Sequence, residues 1–181
     1  MKKTLRFLLA LMVAFAVMLM VRAVGLTIYT IDGPGLEPVF EAGDRVLVNR
    51  WSYGLRIGGS SGIFDYGRIG RQPVRRGDLV AFETPADSTG NHILLCRCVG
   101  LPGDSITVDG HTVIVPSIAN CASADYYWME SVNPDNAADS RSLGFIAEEL
   151  VIGRAVAVVY NHHPERPLWN GWRSDRFLLP K

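Results

Sequence analysis

The sequence predicts a mostly β protein: an antiparallel barrel or sandwich domain with irregular inserts, preceded by one N-terminal transmembrane helix. Three observations carry this. Lys2, Lys3 and Arg6 stand before an unbroken apolar run from Phe7 to Val21. Beyond Ile28, short runs rich in Val, Ile and Leu are separated by Gly, Pro, Asp and Asn, the punctuation of strands and turns. Helical periodicity is missing from the rest of the chain, apart from a short turn at Ala147 to Leu150. At 181 residues there is room for one membrane segment and one compact domain. Residues 1–28 are read as cytoplasmic tip and anchor. Residues 29–181 form the folded domain, with an insert at about 105–138.

The anchor comes first. A spanning helix needs about 20 apolar residues. Leu5 to Leu26 supplies them if the long stem of Arg22 snorkels to the far interface. Ala23-Val24-Gly25 is also a small-x-small tripeptide of the kind that ends a cleaved signal peptide. The uncleaved anchor is favoured because the apolar run resumes beyond Arg22. Basic residues at the N-terminus keep that end in the cytoplasm. The expected location is therefore the cytoplasmic (inner) membrane, single-pass, contacting lipid through residues 7–26, with the main domain on the extracytoplasmic side.

The strands follow. Arg45 to Asn49, Leu79 to Glu83, Ile93 to Val99 and Ala155 to Tyr160 are the candidates. Asp109-Gly110, between I-T-V and H-T-V-I-V, is a tight hairpin turn, because glycine accepts positive φ and aspartate tolerates it. Gly58 to Gly70 reads as a long loop, and Ser117 to Ala138 as a second irregular stretch.

Charge and cysteines narrow the function. Eighteen basic and eighteen acidic residues balance and are spread along the chain, so no basic footprint for nucleic acid is present. Of the three cysteines, Cys96 and Cys98 share a strand face at about the 7 Å limit for a bridge. Cys121 bonded to one of them is the favoured pair, with three free thiols as the alternative. The spacing of the C-x-C pair and His162-His163 is not that of a zinc cluster, so no metal and no cofactor is expected.

Four separated segments give the domain a family. G-P-G-L-E-P-V-F-E-A-G-D-R-V-L-V-N-R-W-S-Y-G-L-R, Gly33 to Arg56, resembles the S-G-S-M-x-P-T-L box and the G-D and Y-G elements of the type I signal peptidases. R-R-G-D-L-V-A-F, Arg75 to Phe82, resembles the second box. C-R-C-V-G-L-P-G-D, Cys96 to Asp104, is similar to K-R-x-V-G-L-P-G-D. D-N-A-A-D-S-R-S-L-G-F-I, Asp135 to Ile146, is similar to D-N-S-x-D-S-R-Y-W-G-F-V, and the tail W-R-S-D-R-F, Trp172 to Phe177, is similar to the family's closing segment. The resemblance implies a membrane-anchored serine endopeptidase fold that processes signal peptides during export.

It also implies a deficit. The family's chemistry uses a serine nucleophile and a lysine held neutral by an apolar setting that depresses its pKa. Carried over residue by residue, the nucleophile position is Gly35, the general-base position Cys96, the oxyanion hydroxyl position Gly33, and the position supporting the lysine Ala137. None carries the required group, and Lys181 is the one lysine after Lys3. The peptide-binding cleft falls at Leu36, Glu37 and Pro38. Arg97, Asp139 and Arg141 become scaffold, with Arg97 expected to pair with Asp139. The expected function is a catalytically inactive relative that binds signal peptides or other extended segments by strand addition, or serves as a partner of an active peptidase or export complex. The alternative is an active signal peptidase with an unrecognised nucleophile. His92 as a base for Cys96 is disfavoured, since residues four apart on a strand are separated by about 13 Å. Trp51, Tyr53, Ile63 and Phe64 are read as a possible apolar edge resting on the membrane, with ordinary core as the competing role.

Overall fold

The computed structural model describes residues 2–31, 36–58, 65–85, 92–108, 110–120, 122–136 and 138–161. Helix α1, Lys2–Val24, is 23 residues long. Phe7, Leu8, Leu9, Leu11, Met12, Val13, Phe15, Val17 and Met18 are all exposed on it. Consecutive residues point to successive sides of a helix, so this surface is apolar all round. Among the described residues no helix is long and apolar enough to cross a membrane; the side chains of residues 19–24 lie outside that set.

The helix stops earlier than the apolar run suggests. Leu26–Thr30 is strand β1, antiparallel to β2, Asp44–Asn49. Hydropathy alone does not separate an apolar helix from an apolar strand behind it. The break comes at Gly25, whose carbonyl accepts a hydrogen bond from Arg50 N–H at 3.0 Å.

Eleven strands form among the described residues. After β2 come β3, Leu55–Ile57; β4, Gly67–Ile69; β5, Leu79–Glu83; and β6, Ile93–Gly100. Then follow β7, Ser105–Val108; β8, His111–Ile114; β9, Tyr126–Glu130; β10, Ile146–Ala147; and β11, Val151–Asn161. Seven make one sheet in the order β1-β2-β11-β5-β6-β9-β10, with every pairing antiparallel. The expected mostly antiparallel β domain is therefore present. β7 and β8 pair antiparallel, with Val108 opposite His111 and Gly110 at φ 80°; Asp109, the other residue of the expected turn, lies outside the described residues.

Two stretches expected to be irregular contain structure. β4 lies inside the glycine-rich stretch and pairs with β3, Leu55 opposite Ile69. β9 lies inside the second irregular stretch and continues the main sheet beside β6. Polar neighbours on both sides of Y-Y-W-M-E conceal β9 in the sequence, whereas the open edge of β6 gives its backbone a partner. A short helix α2, Ser140–Leu143, and a 3-10 turn at Glu148–Leu150 complete this region.

The sheet carries a core on each face. Successive side chains of a strand point to opposite sides. Leu79 and Ala81 accordingly enter one cluster with Phe40, Val46, Val48, Leu95 and Ile152, while Val80 and Phe82 enter the other with Cys96, Cys98, Met129 and Ile146. Burial on both sides explains why L-V-A-F reads as a continuous apolar run rather than an alternating one. Tyr53 belongs to the second core, 3% exposed, and its hydroxyl donates to Asp78 Oδ2 at 2.9 Å. That removes it from any membrane edge; Trp51 remains half exposed, and Ile63 and Phe64 lie outside the described residues.

Candidate functional site

A cavity of about 500 Å³ opens on the first face of the sheet. Its floor comes from alternate residues of neighbouring strands: Val46 and Val48 of β2, Ala81 of β5, and Ile93 and Leu95 of β6. Tyr29, Thr30 and Ile31 bring in the end of β1, Leu36 one wall, and Asn136 and Ala138 the opposite rim. Most of the lining is aliphatic, with His92, Tyr29, Thr30 and Asn136 supplying polar groups.

Two hydrogen-bonded frames hold the walls. Ile31 N–H donates to Asp44 O at 2.8 Å, and Gly43 N–H donates back to Ile31 O at 2.9 Å. The buried carboxylate of Asp44 accepts from Glu41 N–H at 2.8 Å and from Asn161 Nδ2. Leu36 is locked to this frame by Phe40 N–H donating to its carbonyl at 3.0 Å. On the other side, fully buried Asp139 caps α2, accepting from Arg141 N–H at 2.9 Å, and also accepts from Ser131 N–H at 2.9 Å. Arg141 closes an ion pair with Asp139 at 2.7 Å and donates to the carbonyls of Pro134 and Asn136, fixing the turn that presents Asn136 and Ala138. Burial alone raises the pKa of Asp139, but the Arg141 guanidinium and the two backbone donors outweigh it and hold the carboxyl below its ordinary value.

The structure corrects the expected partner of Arg97. Its guanidinium donates to Gly77 O at 3.2 Å, while Asp139 pairs with Arg141. Arg97 sits on β6 opposite Leu79 and Glu130, and the close neighbour in sequence wins the buried carboxylate.

Cys96 lies on β6, 1% exposed, in the core cluster on the face opposite the cavity floor. Its Sγ is 3.7 Å from Ala138 O, so it approaches the rim from behind. Burial first, and the charge of Asp139 second, push its thiol up to about 12. Cys98, also buried, is pushed to about 12, chiefly by burial. Both thiols are free, which overturns the expected disulfide to Cys121; a bond would need one of them to leave a packed core.

Of the three predicted cleft residues, Leu36 lines the cavity, whereas Glu37 and Pro38 are exposed. Gly33, Gly35 and Ala137 lie outside the described residues, as do Cys121, His162 and His163. Tyr29, Thr30 and Ile31 escape sequence reasoning because β1 continues the apolar run of the helix before it, whereas the floor lies on strands that the sequence does predict. Strand alternation around Ala81 and Leu95 is the one signal that points to the floor residues. Among the described residues no group of three His, Cys, Asp or Glu side chains is placed to hold a metal.

Comparison with known proteins places the chain in a family. The family model described as signal peptidase, peptidase S26, matches residues 4–119. Signal peptidase I of Pseudomonas fluorescens is 26% identical, over 72% of this chain and 63% of its own length. Mitochondrial inner membrane protease subunit 1 of Mus musculus is 29% identical, over 68% of this chain and 63% of its own. Signal peptidase IB of Staphylococcus aureus is 27% identical, over 63% of this chain and 49% of its own. The chain thus spans less than two thirds of the length of these curated relatives. With a match over more than half its residues, it belongs to the signal peptidase family, peptidase S26.

Proposed function

We propose that this protein is a membrane-anchored member of the family that binds signal peptides, or similar extended segments, without hydrolysing them. The observation that carries the reading is Cys96. The resemblance puts the general base there, and the residue is a sealed thiol with its pKa pushed up to about 12, which neither accepts a proton as an amine would nor supplies thiolate at neutral pH. Glycine at position 35 offers no side chain to attack a carbonyl. A cavity whose floor is aliphatic suits apolar side chains of a peptide strand, a mode of binding that needs backbone hydrogen bonds and no nucleophile.

The anchor is part of the proposal. By sequence, Leu5 to Leu26 supplies the roughly 20 apolar residues that a hydrocarbon layer of about 30 Å requires. The described apolar side chains of α1, from Phe7 to Met18, are exposed. Lys2, Lys3 and Arg6 favour a cytoplasmic N-terminus and a domain on the far side. Service as a subunit beside an active peptidase is compatible with the same groove.

The test is an assay of the purified full chain in detergent with a labelled signal-peptide precursor. The expected result is saturable binding with no cleavage. Cleavage by the unmodified chain, after removal of contaminating peptidases, supports instead an active enzyme with another nucleophile. Gly35→Ser together with Cys96→Lys and Ala137→Ser is the variant in which cleavage is expected to emerge.

A further inference from the structure

We infer that Asn136 is a recognition residue: its side-chain Nδ2, on the rim of the cavity, donates a hydrogen bond to a main-chain carbonyl of the bound segment. The inference rests on the peptide-binding reading above and names a donor for it. Its first support is that every other polar atom of Asn136 is committed. Asn136 N–H donates to Asn133 O at 3.1 Å, closing the turn 133–136, and Asn136 O accepts from Arg141 Nη2 at 2.9 Å. Oδ1 accepts from Ala138 N–H at 3.0 Å. A backbone N–H only donates, so the side-chain atom facing it has to be oxygen, and the orientation of the amide is fixed. Nδ2 is what remains for a ligand; among the described residues nothing accepts from it.

Access supplies the second argument. Asn136 and Ala138 both line the cavity, and both are half-buried. The unpartnered side-chain atoms sealed from solvent are, among the described residues, Ser52 Oγ and Arg56 Nη1, so Nδ2 is open. Arg141, paired with Asp139 at 2.7 Å, holds the carbonyls of Pro134 and Asn136, which keeps the donor in place before a ligand arrives. The strand beside the rim supplies the third. Ile93, Leu94 and Leu95 of β6 line the cavity with β5 on one side, and among the described residues β9 pairs with β6 only from Arg97 onward. A segment laid along that edge bonds β6 through every second residue and turns its alternate carbonyls away. Over an aliphatic floor those carbonyls need donors from the rim. The hydroxyls of Tyr29 and Thr30 donate or accept, whereas Nδ2 only donates and so selects an oxygen acceptor.

The experiment measures binding of two fluorescent, amidated peptides to the full chain in detergent by fluorescence anisotropy. Each is an apolar segment followed by a small-x-small sequence, and the two differ in their side chains at every other position. The decisive variant is Asn136→Asp, which keeps an oxygen for Ala138 N–H and replaces the donor by an acceptor that repels a carbonyl. We expect about tenfold weaker binding of both peptides with an unchanged melting transition. Asn136→Ser keeps a side-chain acceptor for the turn and lacks the amide nitrogen. It is expected to weaken binding several-fold, and it decides the matter if Asn136→Asp does not fold. Loss confined to one peptide identifies a side-chain contact and overturns the main-chain assignment. Unchanged binding by the folded variants overturns this inference while leaving peptide binding intact. Absence of binding by the wild type overturns both.

Discussion

The thiols of Cys96 and Cys98 face into a packed core, at 1% and 0% exposure, and their ionisation is suppressed mainly because a thiolate there would lose its hydration. Neither is expected to react with a maleimide at pH 8 in the folded protein, and both should react after unfolding. Peptide mapping by mass spectrometry reads this directly, and label on Cys96 in the native state contradicts the buried placement. Asp139 shows the opposite behaviour, because its carboxylate is fully bonded. A carboxyl held below its ordinary value contributes stability that is present above the unfolded value of about 3.9 and is lost as pH falls through the folded value. Asp139→Asn, which leaves Ser131 N–H and Arg141 poorly served, should cost about 2 kcal/mol at pH 7. The difference from wild type should shrink as pH drops below about 4; urea denaturation across that range checks it. The identity of Asp139 as scaffold is legible from the D-S-R motif. Its partner is not, because two arginines compete and only the turn at 134–136 shows which one reaches it.

Among the elements, the β3–β4 pair is tied to the rest of the fold by the Arg56–Glu83 ion pair and by one buried arginine. Arg68 of β4, with 1% of its side chain exposed, donates to Tyr66 Oη at 2.7 Å, to Gly54 O at 3.1 Å, to Glu148 O at 3.0 Å and to Val151 O. It thereby joins a hairpin from a glycine-rich stretch to the start of β11. Arg68→Met should destabilise the protein by about 3–5 kcal/mol, and amide exchange should rise first in β3 and β4. Exchange that increases uniformly over the sheet would instead show that the hairpin is not held separately. β11 has its own constraint. A Cβ on Gly153 would stand 2.4 Å from Asn49 O, a backbone atom that cannot move aside, so the close approach of β11 to the end of β2 requires glycine. β2, β5, β6 and most of β11 are evident as apolar runs. β1, β4 and β9 are not, since the first continues an apolar helix and the other two lie among turn residues. Their strand state comes from neighbours with open edges.

At the scale of the whole molecule, the exposed apolar surface of α1 and the closed core of the sheet domain point to two different solvents. On the proposed anchoring, full-length protein should stay in the membrane pellet after alkaline carbonate extraction, and externally added protease should reach the domain only from the extracytoplasmic side. Recovery in the supernatant contradicts the anchor. The sequence by itself determined the family, the mostly antiparallel β domain and the apolar helix, and it puts glycine at position 35 and cysteine at position 96. Those are local matters of residue type and order. Tertiary structure alone decided that Cys96 is sealed in the core on the face opposite the cavity floor, that Asp139 turns to Arg141, and that Arg56 of β3 meets Glu83 of β5. Each depends on which face of a strand a side chain occupies and which distant strand lies beside it. Register and packing set those, and composition does not encode them.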